Sequence, residues 1–255
     1  MLGAITGDII GSVYERHNIK TKKFTLFSSK CNFTDDSVLT VALADAILND
    51  QDYGEVMKVY HSRYPSAGYG ASFNRWAMSK QPGPYNSWGN GSAMRTSPVG
   101  YSFDTLEEVL EKSKVFASFT HNHPEGVKGA QATSASIFLA RNGATKSEIK
   151  TYVTNEFGYN LSRTIDEIRP GYYFDVSCQG SVPQAIAAFL ESVNYEDAIR
   201  NAISIGGDSD TLACIAGGIA EAFYGGVPTS ISDKAMDLID EKLRSTVTKF
   251  YRKYG

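Results

Sequence analysis

Apolar residues recur along this chain mostly at helical spacing, and few segments alternate with the period of two that marks a strand. The opening stretch LGAITGDIIGSVY is apolar and sets Gly3, Gly7 and Gly11 four residues apart on one helical face. Glycine costs a helix roughly 1 kcal/mol relative to alanine, so this spacing predicts that another backbone packs close there. A second apolar helix is predicted to follow Asp35 and run to about Leu48. DTLEEVLEKSKVFASF spaces Leu106, Val109, Leu110 and Phe116 for a third, with Asp104 and Glu107 resembling a capping box. Further helices are predicted over 124–141, 145–156, 181–193, 195–204, 209–224 and 230–250. Gly143 fits a helix stop, and Thr145 with Glu148 fits the next start. GYYFDVSC at 171–178 is the best alternating segment, and it is isolated. The pattern predicts an all-α fold of roughly ten helices, a single compact bundle with one domain over 1–255.

Composition narrows the class. The 255 residues, 42% hydrophobic and 21% charged, suit a globular protein, with no Pro/Ser-rich linker and no repeat. A net charge of -3 argues against a broad nucleic-acid-binding face, so no nucleic-acid partner is expected. No apolar run reaches the ~18 residues of a membrane span, and the start MLGAITGDII lacks the basic lead-in of a signal peptide. Cys31, Cys178 and Cys214 are scattered and outside any CxxC pair, and read as reduced, buried thiols. The expectation is a cytoplasmic monomer with no membrane partner.

Two stretches put acids in front of apolar helices. In FTDDSVLT these are Thr34, Asp35 and Asp36; in GGDSDTLACIAGG they are Asp208, Asp210 and Thr211. Capping explains one such cluster well, since Asp and Thr favour helix N-termini. Two clusters, each with paired carboxylates and a hydroxyl beside small residues, raise a second reading. If they converge, their repulsion demands cations, and an all-oxygen donor set favours Mg²⁺, Mn²⁺ or Ca²⁺ over Zn²⁺.

The loops at 66–72 and 82–91 are glycine-rich. In PYNSWGNGSAMR, Asn90 between Gly89 and Gly91 tolerates left-handed angles, and the helix-like SAMR would put loop N–H groups at a helix N-terminus, a ready anion site. Trp88 offers a flat face for a base, and Arg95 a partner for a carboxylate or phosphate; a tight loop around a core tryptophan is the competing reading. His121 and His123 in THNHPEG lack metal-ligand spacing.

Taken together and in order, GAITGDIIGSVYE, FTDDSVLT, GYGASF, SWGNGSAMR, THNHPEGVKGA, SVPQA and GGDSDTLACIAG resemble the ADP-ribosylglycohydrolase family, which includes dinitrogenase reductase-activating glycohydrolase. The resemblance spans nearly the whole chain and implies an orthogonal all-α bundle with two Mg²⁺ ions, Mn²⁺ being an alternative. It implies one ion held by Thr34, Asp35, Asp36 and Asp210, and another by Asp208, Asp210 and Thr211, with Glu15 approaching the second metal and the substrate ribose. It places the pyrophosphate of ADP-ribose on the loop Asn86, Ser87, Trp88, Gly89, Asn90 and Gly91, with Trp88 on adenine in place of a frequent tyrosine. Asp35, Gly68 and Ser72 would also contact substrate, and His121 resembles the family's ligand-contacting histidine. The implied activity is Mg²⁺-dependent hydrolysis of the N- or O-glycosidic bond between ADP-ribose and an acceptor, either protein Arg or Ser or a small molecule. Asp36 or Asp208 would act as general base, and Glu15 is the other candidate. A two-metal hydrolase of a free nucleotide, or a non-enzymatic descendant that binds ADP-ribose or serves a structural role, are the alternatives.

Overall fold

The computed structural model describes residues 1–80 and 83–255, an all-α fold with fifteen α-helices among the described residues. First come α1 (Leu2–Gly11), α2 (Asp35–Asn49), α3 (Tyr53–Arg63) and α4 (Ala71–Met78). The middle holds α5 (Gly91–Met94), α6 (Ser97–Ser102), α7 (Leu106–Ser118), α8 (Pro124–Arg141), α9 (Lys146–Phe157) and α10 (Ile165–Ile168). The last part holds α11 (Cys178–Glu191), α12 (Tyr195–Ile205), α13 (Ser209–Tyr224), α14 (Thr229–Leu238) and α15 (Glu241–Tyr254). The alternating stretch 171–178 supplies an isolated antiparallel bridge between Gly89 and Ser177. The Gly-rich loop expected over 82–91 starts at Pro82, outside the described residues.

Several expectations need correction. The predicted helix 230–250 is two helices, because Ile239 is extended and Asp240 starts afresh by accepting from the N–H groups of Lys242 and Leu243. Helix α7 is boxed by Thr105 and Glu108, one residue later than Asp104 and Glu107: Thr105 Oγ1 accepts from Glu108 N, and Glu108 Oε2 from Thr105 N. Helix α1 stops at Gly11, so Glu15 lies in the turn beyond it. Helices α3, α4, α6 and α10 were not anticipated, and with the split they raise the number above roughly ten. Two of them have readable starts: Asp52 caps α3 by accepting from Glu55 N, and Thr164 with Glu167 boxes α10.

Two apolar clusters fill the interior. One gathers Ile137, Ile149, Ile186, Phe189, Ile203 and Leu212; the other gathers Ile5, Ile9, Val38, Met57, Trp76 and Phe250. Helices α1 and α13 run through the middle, α1 buried from Gly3 to Gly11 and α13 from Ser209 to Glu221. They meet backbone to backbone. A Cβ at Gly3 would sit 2.3 Å from the Gly217 carbonyl oxygen, at Gly7 2.1 Å from that of Ala213, and at Gly11 2.5 Å from the Asp210 Cα. No side chain fits at such distances, which is why the face is glycine despite its cost to the helix.

Gly7→Ala is therefore expected to destabilise the protein by about 3 kcal/mol, the upper end of ordinary overpacking, because backbone and not a flexible side chain must yield. Equilibrium denaturation measures this, and an unchanged midpoint would contradict the close approach.

Candidate active site

The backbone contact between α1 and α13 places an acidic residue of each against the start of α2. Single carboxylate oxygens of Asp8, Asp36 and Asp210 lie within 4.8 Å of one another, and all three residues are buried. The two clusters, far apart in sequence, thus share one site. Thr34 is the N-cap of α2 and Asp208 that of α13. Gly206 and Gly207 hold positive φ of 77° and 75° just before Asp208, and a Cβ at Gly207 would meet the Tyr172 ring at 2.4 Å. Both glycines are needed to turn the chain into α13.

Asp8 is the site residue that sequence reasoning missed. Its Oδ1 accepts from Thr34 Oγ1 at 2.7 Å, and its Oδ2 accepts from Thr34 N at 3.0 Å, Ser37 N at 3.1 Å and the Ser37 hydroxyl. Those donors occupy both oxygens, so Asp8 fixes the first turn of α2 and with it the approach of Asp36 to Asp210. An acid inside an otherwise apolar, glycine-faced helix was the available signal, since unpaired Asp is rarely buried.

The donor set fits a hard cation. Asp36 Oδ1 and Asp210 Oδ1 are buried and have no hydrogen-bond partner among the described residues. Buried carboxylate oxygens without donors, close to like charge, call for a cation with oxygen preference. Other oxygens are already held: Thr211 Oγ1 donates to Asp36 Oδ2 at 3.4 Å, and Asn90 Nδ2 donates to Asp208 Oδ2 at 2.7 Å.

Electrostatics agree. Burial, then Asp8, Asp208 and Glu15, pushes the Asp35 carboxyl up to about 8. Burial pushes Asp8 up to about 6 against the four donated hydrogen bonds. Asp36 and Asp210 are raised well above the ordinary value by burial and their acidic neighbours. Burial raises Asp208, and burial followed by the Asp208 charge raises Glu15.

A pH dependence follows for the chelated protein. Groups whose folded pKa is raised bind more protons folded than unfolded, so stability is full below about 4 and is lost as pH rises. The window runs through about 6 for Asp8 to about 8 for Asp35. In EDTA, Tm is expected to be lower at pH 8 than at pH 5, and Mg²⁺ should raise it most at pH 8. A flat Tm in EDTA would argue against converging charge.

Above the acids opens a cavity of about 460 Å³, in the range of small-molecule sites. Of the residues singled out from sequence, it is lined by Glu15, Thr34, Asp35, Asp36, Gly68, Ser72, Ser87, Gly89, Asn90, Gly91, His121, Asp208, Asp210 and Thr211. Asn86 and Trp88 are outside the lining; Asn86 has φ 53°, and Trp88 is 48% exposed. Asp35 N donates to Ala67 O at 2.8 Å, tying the loop of Gly68 (φ 104°) to the start of α2. Asn90 N donates to Val176 O at 2.7 Å and Cys178 N to Trp88 O at 3.0 Å, so the segment before α11 braces the glycine loop. Arg95, also singled out from sequence, is in the lining; that segment adds Phe174 and Val176, and Phe73 and Tyr85 join from elsewhere. The earlier signal for Phe174 and Val176 was the isolated alternation at 171–178. No helix among the described residues is long and apolar enough to cross a membrane. All three cysteines are free and buried.

Comparison with known proteins places this geometry. Residues 1–254 match the sequence profile described as ADP-ribosylglycohydrolase. The chain is similar to mouse (Mus musculus) ADP-ribosylhydrolase ARH3, 25% identical over 88% of this chain and 82% of that protein. It is 32% identical to the ADP-ribosylarginine hydrolase Tri1 of Pseudomonas putida, over 57% of this chain and 42% of that protein. A solved structure described as an ADP-ribosylglycohydrolase-related protein complex superposes with a TM-score of 0.73 at 19% identity, covering 99% of this chain and 96% of that one, a likeness of fold.

Proposed function

The chain belongs to the ADP-ribosylglycohydrolase family, and from that premise we propose that it hydrolyses the glycosidic bond between ADP-ribose and an acceptor. The observation that carries this reading is one cavity with two unlike sets of groups. It is lined both by Asp35, Asp36, Asp208 and Asp210 and by the Gly89–Gly91 loop, His121 and Arg95, and Asn90 joins the two sets through its bond to Asp208. A ribosyl diphosphate has matching ends: a diol suited to a cation site and a dianion suited to N–H donors.

Thr34, Asp35, Asp36, Asp208, Asp210 and Thr211 would hold two Mg²⁺ ions, with Mn²⁺ able to replace them. Bound there, the ions would neutralise the carboxylates, orient the ribose diol and make a water more acidic. The loop Ser87–Gly91 would seat the pyrophosphate. The exposed Trp88 leaves a ring face open for adenine, and Gly68 and Ser72 would border the ribose. Glu15 lines the cavity from a turn, and its carboxylate accepts no hydrogen bond from a described residue, whereas Asp36 and Asp208 have oxygens engaged by Thr211 and Asn90. A general base needs a free lone pair and a raised affinity for a proton; Glu15 has both, while the bare Oδ1 of Asp36 would be committed to the cation. In the reaction the water oxygen bonds to the anomeric carbon as the acceptor departs with the bonding pair. Glu15 takes one water proton, and the transition state is oxocarbenium-like.

The test is release of ADP-ribose from ADP-ribosylated Arg peptides, Ser peptides and small-molecule conjugates, each with Mg²⁺ and with EDTA. Release from at least one class in Mg²⁺ and none in EDTA is expected. No release from any class would sink the proposal.

A further inference from the structure

Arg95 follows α5 and is 1% exposed. Its Nη2 donates to Thr120 Oγ1 at 2.7 Å, and its guanidinium lies 5.6 Å from the centre of the Tyr53 ring. The same Thr120 oxygen is 2.7 Å from His121 Nδ1. These two short contacts constrain each other. A guanidinium only donates, so Arg95 takes a lone pair of the Thr120 oxygen. The cation also polarises the hydroxyl, making it a better donor and a poorer acceptor. The Tyr85 phenol oxygen is the other acceptor near this hydroxyl, and it is a weaker acceptor than an imidazole nitrogen. The hydrogen of Thr120 then goes to His121 Nδ1, and the ring proton resides on Nε2. That nitrogen has no hydrogen-bond partner among the described residues. It faces the glycine loop: a Cβ at Gly91 would lie 3.2 Å from it, and one at Gly89 3.7 Å.

We propose that Arg95 and Thr120 are positioning residues that hold His121 as the Nε2–H tautomer, a fixed donor for an anionic group seated on the Gly89–Gly91 loop. This rests on the ADP-ribose reading, in which that group is the pyrophosphate. Burial, then the Arg95 charge, holds the His121 pKa well below the ordinary histidine value, so the ring stays neutral and its tautomer decides whether it donates or accepts. With Nδ1 protonated instead, Nε2 would aim a lone pair at the phosphate oxygens and repel them.

The test uses the full chain labelled with ¹⁵N-histidine, of which there are four. Long-range ¹H–¹⁵N spectra of the ligand-free protein are expected to show His121 protonated on Nε2. Thr120→Val removes the donor to Nδ1 and should abolish that preference. It should also raise the Kd for ADP-ribose in saturating Mg²⁺ roughly tenfold, the loss of one hydrogen bond to a charged group. Thr120→Ser keeps the hydroxyl and should restore both. A packing role alone would leave the tautomer unmoved and give serine no rescue. Protonation of Nδ1 in the wild type would overturn the proposal, as would a Thr120→Val protein with unchanged tautomer and affinity. Wild-type protein that shows the Nε2–H tautomer yet ignores ADP-ribose would sink the functional reading and leave the Arg95–Thr120–His121 relay standing.

Discussion

Asp210→Asn is expected to abolish the proposed metal-dependent turnover, with a loss on the order of 10³ or more, the value of several kcal/mol of transition-state charge stabilisation. Asp210 contributes a buried Oδ1 that has no donor, beside the carboxylates of Asp8 and Asp36. The substitution keeps the shape of the side chain and removes its charge. It also relieves repulsion from Asp208, Asp36 and Asp8, which together with burial raises the Asp210 pKa. The variant should therefore be at least as stable as the wild type in EDTA at pH 8. It should lose most of the Tm increase that Mg²⁺ gives the wild type. Thermal shifts with and without Mg²⁺, beside turnover, separate this from simple misfolding. An Asp210→Asn protein that still gains the full Mg²⁺ shift would show that the ion is held elsewhere.

Glu15→Gln produces a different pattern. Turnover is expected to fall roughly 10²–10⁴-fold, the usual range for a lost general base, while affinity for ADP-ribose stays within about twofold. The reason is position: Glu15 sits in the turn after α1, lines the cavity and makes no structural hydrogen bond with its carboxylate that glutamine would break. Calorimetric binding beside single-turnover hydrolysis, both in saturating Mg²⁺, makes the comparison. Near-normal turnover would return the role of base to Asp36 or Asp208.

Much of this was legible in the sequence because it follows from local rules. The glycine spacing at 3, 7 and 11 announced a close backbone contact, and α13 makes that contact at all three positions. Helices α8 and α13 begin and end where apolar periodicity and caps placed them, and α12 runs one residue past its expected end. The paired acids of the two clusters announced crowded charge. What sequence could not supply was the third dimension. Asp8 looked like one polar residue in an apolar helix; only the approach of α2 shows that it organises Thr34 and Ser37. Thr120 drew no attention in the sequence, and its value lies in touching Arg95 and His121 together. The short helices α6 and α10 escaped because four to six residues hold too little periodicity to be seen. The split at Ile239 escaped because the apolar pattern runs on through it, and only the cap at Asp240 marks the break.

The seam between α1 and α13 also sets a timetable for the molecule. Helix α1 is made first, and its glycine face has no partner until residues 12–208 have followed. At about 5–20 residues per second that wait is roughly 10–40 s on the ribosome. Through that interval a buried-type helix, with Asp8 on it, must be kept from other partners. Closing so long a loop is slow, and its reward arrives all at once, when α13 emerges and α2 is locked beside it. A nascent chain that ends before residue 209 thus has Asp8, Asp35 and Asp36 but lacks Asp210. Assembly of the buried acidic cluster must therefore wait until α13 has been made.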